Sequence, residues 1–154
     1  MGCDIHSHAE RKNVRGEWEK IDGLEPFDMR NYSVFAFLAG VRNYSAIEPI
    51  AQPRGVPEDA SQKVAEDYKD WDSDAHSASW LSVKELEDFD YGTPCEDRRA
   101  TRQIAPHGFY GAFTVDPGEG VQTTVREFLG EGFFEELRQL TESGAERIIF
   151  WFDN

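Results

Sequence analysis

The sequence predicts an α+β domain, with a small mixed or antiparallel sheet that holds an N-terminal hairpin and a C-terminal strand and is covered by three or four helices. Three observations predict it. Met1 to Glu10 alternates in character with period two, as a half-buried strand does. Ile148-Ile149-Phe150-Trp151-Phe152 is a short continuous apolar run of the kind that suits a strand buried on both faces. Between them, apolar residues recur at helical spacing with capping residues at their edges. The 154 residues match one domain, residues 1–154, and eleven Phe, five Tyr and four Trp supply the apolar bulk for a core.

The elements follow in order. The turn Asn13-Val14-Arg15-Gly16 leads from the first strand into Glu17-Trp18-Glu19-Lys20-Ile21, closing a hairpin over the first twenty-two residues. Asn31 caps a short, almost wholly apolar helix through Tyr32–Ala39, and Gly40 stops it. A Pro/Gly-rich connection with Arg42-Asn43, Pro49, Pro53-Arg54-Gly55 and Pro57 leads to a second helix from about Glu58 to Asp70, marked by Ala60, Val64, Tyr68 and Trp71. Asp72 to Trp80, polar and rich in small residues, reads as a loop. Ser82-Val83-Lys84-Glu85 has capping-box spacing, with Leu81 and Leu86 as its hydrophobic staple, and opens a helix ending near Phe89. Residues 90–122 read as a long irregular stretch with room for a short strand at Gly108–Phe113, and its length suggests a lid or ligand wall. Thr124-Val125-Arg126-Glu127 repeats the capping pattern ahead of a last helix that Gly130 and Gly132 can divide and Gly144 ends.

Sixteen Lys plus Arg against thirty Asp plus Glu give a formal net charge of −14. That field repels phosphate backbones and anionic membranes, which disfavours general nucleic-acid binding and membrane attachment but leaves room for a basic partner or a phosphate held in a local positive pocket. Cys3 and Cys95 lie outside any CxxC motif, and the chain shows no signal peptide and no apolar run of membrane-spanning length. A cytoplasmic protein with reduced thiols is the expectation; its oligomeric state is left open.

The concentrated chemical signal is Cys3-Asp4-Ile5-His6-Ser7-His8. Strand alternation puts Cys3, Ile5, Ser7 and Ala9 on one face and Asp4, His6, His8 and Glu10 on the other. Cys3 then belongs to the core and is a poor nucleophile. Three readings of the polar face stand side by side. It is the solvated outside of a hairpin; or His6 and His8 bind one divalent metal, Zn or Mn, with Asp4, Asp74 or His76 completing the set and Asp72 or His107 as further candidates; or His6, His8 and His76 act without metal as general acid and base on a phosphate ester. Arg42 and Arg54, with Arg98 and Arg99 behind them, are candidates to hold the phosphate. Asn43, Ser77, Ser79, Trp80 and His107 complete the ligand-binding candidates, and Trp71, Phe109 and Tyr110 are possible stacking walls. No G-x-S-x-G elbow surrounds Ser77 or Ser79, which argues against a serine hydrolase.

The opening Met1-Gly2-Cys3-Asp4-Ile5-His6, together with Asp74-Ala75-His76-Ser77-Ala78-Ser79-Trp80-Leu81, Arg42-Asn43 and Pro53-Arg54-Gly55, resembles a group of small uncharacterised bacteriophage and prophage proteins. The likeness runs over about the first ninety residues. It implies a phage setting inside a bacterial host and no established activity; small acidic phage proteins of this sort act against host defence by taking up or cleaving a nucleotide signal, or by blocking a host protein. Asp4-Ile5-His6-Ser7-His8 also looks like the first metal-binding strand of the polymerase-and-histidinol-phosphatase phosphoesterases, but this chain is too short for their barrel, so only the local ligand geometry carries over. Two functions are therefore expected as alternatives: a nucleotide or phosphate-ester site, metal-dependent and hydrolytic in its sharpest form, or a non-catalytic protein that sequesters a nucleotide or inhibits a basic host protein.

Overall fold

The computed structural model describes residues 2–105 and 109–154, the side chains of residues 101–105 and 109–112 excepted. The chain runs β1 (Asp4–Lys12), β2 (Trp18–Lys20), α1 (Tyr32–Ala39), α2 (Gln62–Trp71), a 3-10 turn (Asp72–Asp74), β3 (His76–Ser82), α3 (Val83–Asp88), β4 (Pro94–Asp97), β5 (Arg99–Ala105), β6 (Phe109–Thr114), β7 (Val121–Thr124), α4 (Val125–Leu129), α5 (Glu131–Glu142) and β8 (Arg147–Asp153). The α+β class is as expected: a four-stranded antiparallel sheet in the order β2-β1-β8-β3, two small ribbons β4-β7 and β5-β6, and five α-helices among the described residues. No helix of the described residues is long and apolar enough to cross a membrane.

β8 lies in the middle of the sheet with Ile148, Ile149, Phe150, Trp151 and Phe152 all fully buried. An apolar run without alternation requires cover on both faces, and both are covered. On one face Ile148, Phe150 and Phe152 join Cys3, Ile5, Ala9 and Leu81 of the neighbouring strands and pack under α1, α3, α4 and α5. On the other, Ile149, Trp151 and Ala78 pack against Val64 of α2, with Tyr68 and Trp71 at the margin. α2 begins at Gln62, later than the expected Glu58, so Val64, Tyr68 and Trp71 form its inner stripe, as their spacing requires, and Ala60 packs against the same cluster from the turn before it.

The local signals act where expected. Asn31 Oδ1 accepts from Ser33 N at 3.0 Å and Gly40 takes the left-handed conformation at φ 72°, so α1 is bounded by its cap and its stop. Ser82 and Glu85 form the complete capping box of α3. Gly130, at φ 83°, separates α4 from α5.

Two segments differ from expectation. Residues 76–80 belong to strand β3 and are not loop, because pairing with β8 and burial of Ala78, Ser79 and Leu81 override the low strand preference of a Ser/Ala-rich stretch. Residues 90–122 hold four strands where the sequence showed room for one; their pairing is between segments distant in the chain, β4 with β7, and within the hairpin β5-β6.

The polar face of β1 is sealed at its far end by an ion pair. Glu10 stands opposite Arg147 in the β1-β8 register, and Arg147 Nε donates to Glu10 Oε1 at 2.7 Å with both residues buried. Glu10 Oε2 also accepts from Ser61 N at 2.8 Å, Arg147 Nη1 donates to Asp59 Oδ1 at 2.9 Å, and the guanidinium lies 3.7 Å from the centroid of the Trp18 ring. The pair therefore ties the entry of α2 to the sheet. Arg147→Met is expected to destabilise the fold by about 3–5 kcal/mol, because it strands a buried carboxylate, whereas the double change Glu10→Leu with Arg147→Met should regain most of the loss. Urea unfolding midpoints of the two variants against the parent check this.

Candidate functional site

The H-x-H pair has the geometry the alternation predicts, since His6 and His8 project from one face of β1. That face, however, is occupied. α2 lies on it, and each polar side chain of β1 has a separate partner. Arg30 grips Asp4 with two hydrogen bonds of 2.8 Å. His6 Nε2 is 2.9 Å from Asp153 Oδ2, with the Trp71 ring 3.9 Å from the imidazole centroid. His8 Nε2 is 2.7 Å from Asp67 Oδ2. Glu10 is held by Arg147. The four partners come from the loop before α1, from α2 and from β8, and none of them was among the candidates drawn from sequence.

His76 does not join them. It stands opposite Phe152 in the β3-β8 register, and Phe152 belongs to the opposite core from Trp151, the residue facing His6. Directly opposed residues share a face of a sheet, so His76 lies on the other side from His6 and His8. A register shift follows it, with Ser77 at φ 54°, and its ring is fixed by Asn154 Oδ1 at 2.6 Å from Nε2 and Ser77 Oγ at 3.1 Å from Nδ1. Asp74 and Asp72 are exposed on the 3-10 turn. Among the described residues no three His, Cys, Asp or Glu side chains are placed to hold a metal ion. Of the expected donors, Asp4, His6 and His8 share one face, His76 lies on the other, and Asp74 stands on the 3-10 turn. His107 lies outside the described residues, as do the side chains of Phe109 and Tyr110.

Arg54, Ser79 and Trp80 do meet, in a structural knot. The Arg54 guanidinium donates to both oxygens of Glu85 at 2.8 and 2.6 Å and to Trp80 O at 3.1 Å, it lies 4.8 Å from the Trp80 ring centroid, and Arg54 N donates to Ser79 Oγ at 3.0 Å. The Arg54 hydrogen bonds hold the Glu85 carboxyl at about 2, far below the usual glutamate range. The knot fastens the Pro/Gly-rich connection over β3. Asn43 closes a turn, donating to Ile47 O at 2.7 Å and accepting from Ile47 N at 3.0 Å. Arg98 pairs with Glu96.

Arg42 is placed differently. It follows α1 in the left-handed conformation, φ 52°, its guanidinium lies 5.6 Å from the Tyr32 ring centroid, and Nη1 donates to Tyr44 Oη at 3.3 Å. Those two tyrosines line a cleft of about 760 Å³, together with Asp97, Arg99, Ala100, Phe113 and Thr114. Its walls are the start of α1, the turn after it, and the base of the β5-β6 hairpin, where Arg99 pairs with Thr114 and Ala100 with Phe113. Tyr44 and Phe113 are 47% and 39% exposed, which for large aromatic side chains marks a surface left uncovered. Tyr32 is anchored by accepting from Cys3 N at 3.1 Å. Asp97 takes Arg99 in a two-point grip at 2.8 and 2.7 Å, which lowers its carboxyl below the ordinary aspartate range. Part of the stretch 90–122 thus forms a wall of this cleft. Of the sequence candidates among the described residues, the second-rank Arg99 lines it, and Arg42 touches its two tyrosines; Tyr32, Tyr44 and Phe113 were missed, because half-exposed aromatics reveal themselves only once the rest of the core is assigned.

The buried histidine carries a pH dependence. His8 is 7% exposed and its Nδ1 has no hydrogen-bond partner. Burial is the largest influence on it and pulls its pKa below the ordinary 6.5, against the opposing hydrogen bond and charge of Asp67; Lys20 lowers it further and Glu25 raises it. A folded state that takes up a proton less readily than the unfolded chain loses stability as pH falls below the ordinary histidine value and holds it above. The melting temperature should therefore decline between pH 7 and pH 5, and His8→Gln should flatten that decline, as a thermal scan at each pH will read.

No protein-family model matches the chain, and no curated protein or solved structure is significantly similar to it, so function rests on the chemistry of the site itself.

Proposed function

We propose that this protein binds a nucleotide in the Tyr32/Tyr44/Phe113 cleft and sequesters it without turning it over. One observation carries the reading: a single cleft is lined by three aromatic rings, Tyr32, Tyr44 and Phe113, and an arginine beside it donates to the Tyr44 hydroxyl. Each base stacked on an aromatic side chain gains about 1–3 kcal/mol. Arginine suits the phosphate, because its planar fork offers several donors to one group of oxygens. The volume of about 760 Å³ falls within the range of small-ligand sites.

Sequestration is favoured over hydrolysis by the placement of the histidines. A general acid and base must reach the same ligand, whereas His6 and His8 sit beneath α2 and His76 on the opposite face. In the phage setting implied by the resemblance of the opening residues, the protein works in the cytoplasm of a bacterial host and withdraws a nucleotide on which a defence system depends. Its net charge of −14 keeps it off nucleic acid.

Calorimetric titration with a panel of nucleotides tests this. At least one is expected to bind the parent protein, unchanged on recovery. Tyr44→Ala should weaken binding by about 1–3 kcal/mol while leaving the urea midpoint unmoved, because the ring is half-exposed. If no nucleotide binds, while a basic host protein is retained and is lost on reversing surface acidic residues, the protein is an acidic inhibitor instead. Turnover of a bound nucleotide that depends on His6 would restore the hydrolytic reading.

A further inference from the structure

Resting on the nucleotide reading of this cleft, we infer that Ser45, buried and not among the lining residues, is its positioning residue, whose hydroxyl sets the spacing between the two walls that a stacked base must fit. The walls come from separate parts of the fold. Tyr32 and Tyr44 belong to α1 and the turn after it, and α1 is fastened to the main core by its buried residues from Ser33 to Ala39. Ala100, Phe113 and Thr114 belong to the β5-β6 ribbon, which among the described residues pairs with neither of the other sheets. A two-stranded ribbon has little stability of its own, so its pose against the turn depends on what holds its base.

Ser45 holds that base. It is 3% exposed, and its Oγ accepts from Arg98 N at 2.9 Å and donates to Asp97 Oδ1 at 3.4 Å. Arg98 O in turn accepts from Val115 N at 2.9 Å, so the two ends of the ribbon, at residues 98 and 115, are joined to each other and to Ser45 through one residue. α1 adds a second link, Arg99 Nη1 donating to Ser33 Oγ, but it runs through a long side chain, whereas Ser45 grips backbone. The turn side of the gap is well fixed. Ala46 N donates to Asn43 O at 3.2 Å, the Asn43 side chain bridges Ile47 N and O, and Arg42 and Ala46 both take the left-handed conformation, at φ 52° and 51°. Non-glycine residues hold that conformation only where their surroundings over-determine it. Ser45 follows Tyr44 on this turn, so its bond to Arg98 N transfers the geometry of the turn to the ribbon. Without the hydroxyl, the Arg98 N–H loses its acceptor, and the corner relieves this by shifting toward water. A gap widened by about 0.5–1 Å forfeits about a quarter to a half of the van der Waals attraction on one side of a stacked base.

Calorimetric titration with the 5′-monophosphates and 3′,5′-cyclic monophosphates of adenosine, guanosine, cytidine and uridine, paired with hydrogen exchange, tests this. Ser45→Ala should bind whichever of these the parent binds about two- to tenfold more weakly. Its α1 and β8 amides should stay as protected as in the parent, while those of Arg98 and Val115 exchange faster. Ser45→Thr, which keeps the hydroxyl, should bind with an affinity between those of the parent and Ser45→Ala; melting temperatures verify that both variants fold. When Tyr44→Ala is combined with Ser45→Ala the two losses should not add, because the spacing has no effect once the ring it positions is gone. A Ser45→Ala protein that binds as tightly as the parent, or losses that add in the double variant, would overturn the positioning role and leave the nucleotide reading in place. If none of these compounds binds the parent, both fall together.

Discussion

Strand β8 has no water-facing side. Its five consecutive apolar residues from Ile148 to Phe152 sit at the centre of the sheet, and burying all of them requires a layer of structure above and another below. Four helices supply the first layer with an apolar core that includes Phe35, Phe37, Phe133 and Leu140. The second layer is thinner, with α2 as its one helix among the described residues, and it must cover a surface to which β1 contributes Asp4, His6, His8 and Glu10. An apolar strand flanked by a polar one therefore forces polar groups under cover.

Covered polar groups need partners, because an unpaired one costs its full desolvation. This explains the succession of pairs along the face: Asp4 with Arg30, His6 with Asp153, His8 with Asp67, Glu10 with Arg147 and Asp59. The pairs become more buried from Asp4, which is half-exposed, to Glu10, which is fully buried. They also define where α2 sits, since Ser61, Asp67 and Trp71 are its points of contact with β1. Histidines committed in this way hold a layer in place, and the same commitment withdraws them from a shared reaction.

The residues that line the cleft beside Tyr44 lie outside this layer of pairs. Tyr44 and Phe113 remain partly exposed because the main core is complete without them. The turn that carries Tyr44 is nevertheless well determined, by Asn43 bridging to Ile47 and by Ser45 Oγ accepting from Arg98 N at 2.9 Å. A rigid turn with uncovered aromatic side chains is how a binding surface is held on a folded scaffold.

Local chemistry read in the sequence was sufficient for the pieces. The alternation of residues 3–10, the Asn31 cap and Gly40 stop, the capping box at Ser82, the stripe of α2 and the two-sided burial of β8 each depend on neighbours within a few positions, and each is present as expected. Long-range pairing was not legible. The strand at 76–82 exists because β8 offers it a free edge, and β4 meets β7 across more than twenty residues of chain. The histidines mark the boundary most clearly. Strand alternation by itself determined that His6 and His8 point the same way, because the period of a strand is a property of the backbone. Whether that side met water, a ligand or a helix, and on which side His76 would fall, was decided only by the register of β1 and β3 on β8, which assigns each residue its face and is set by the packing of the whole core.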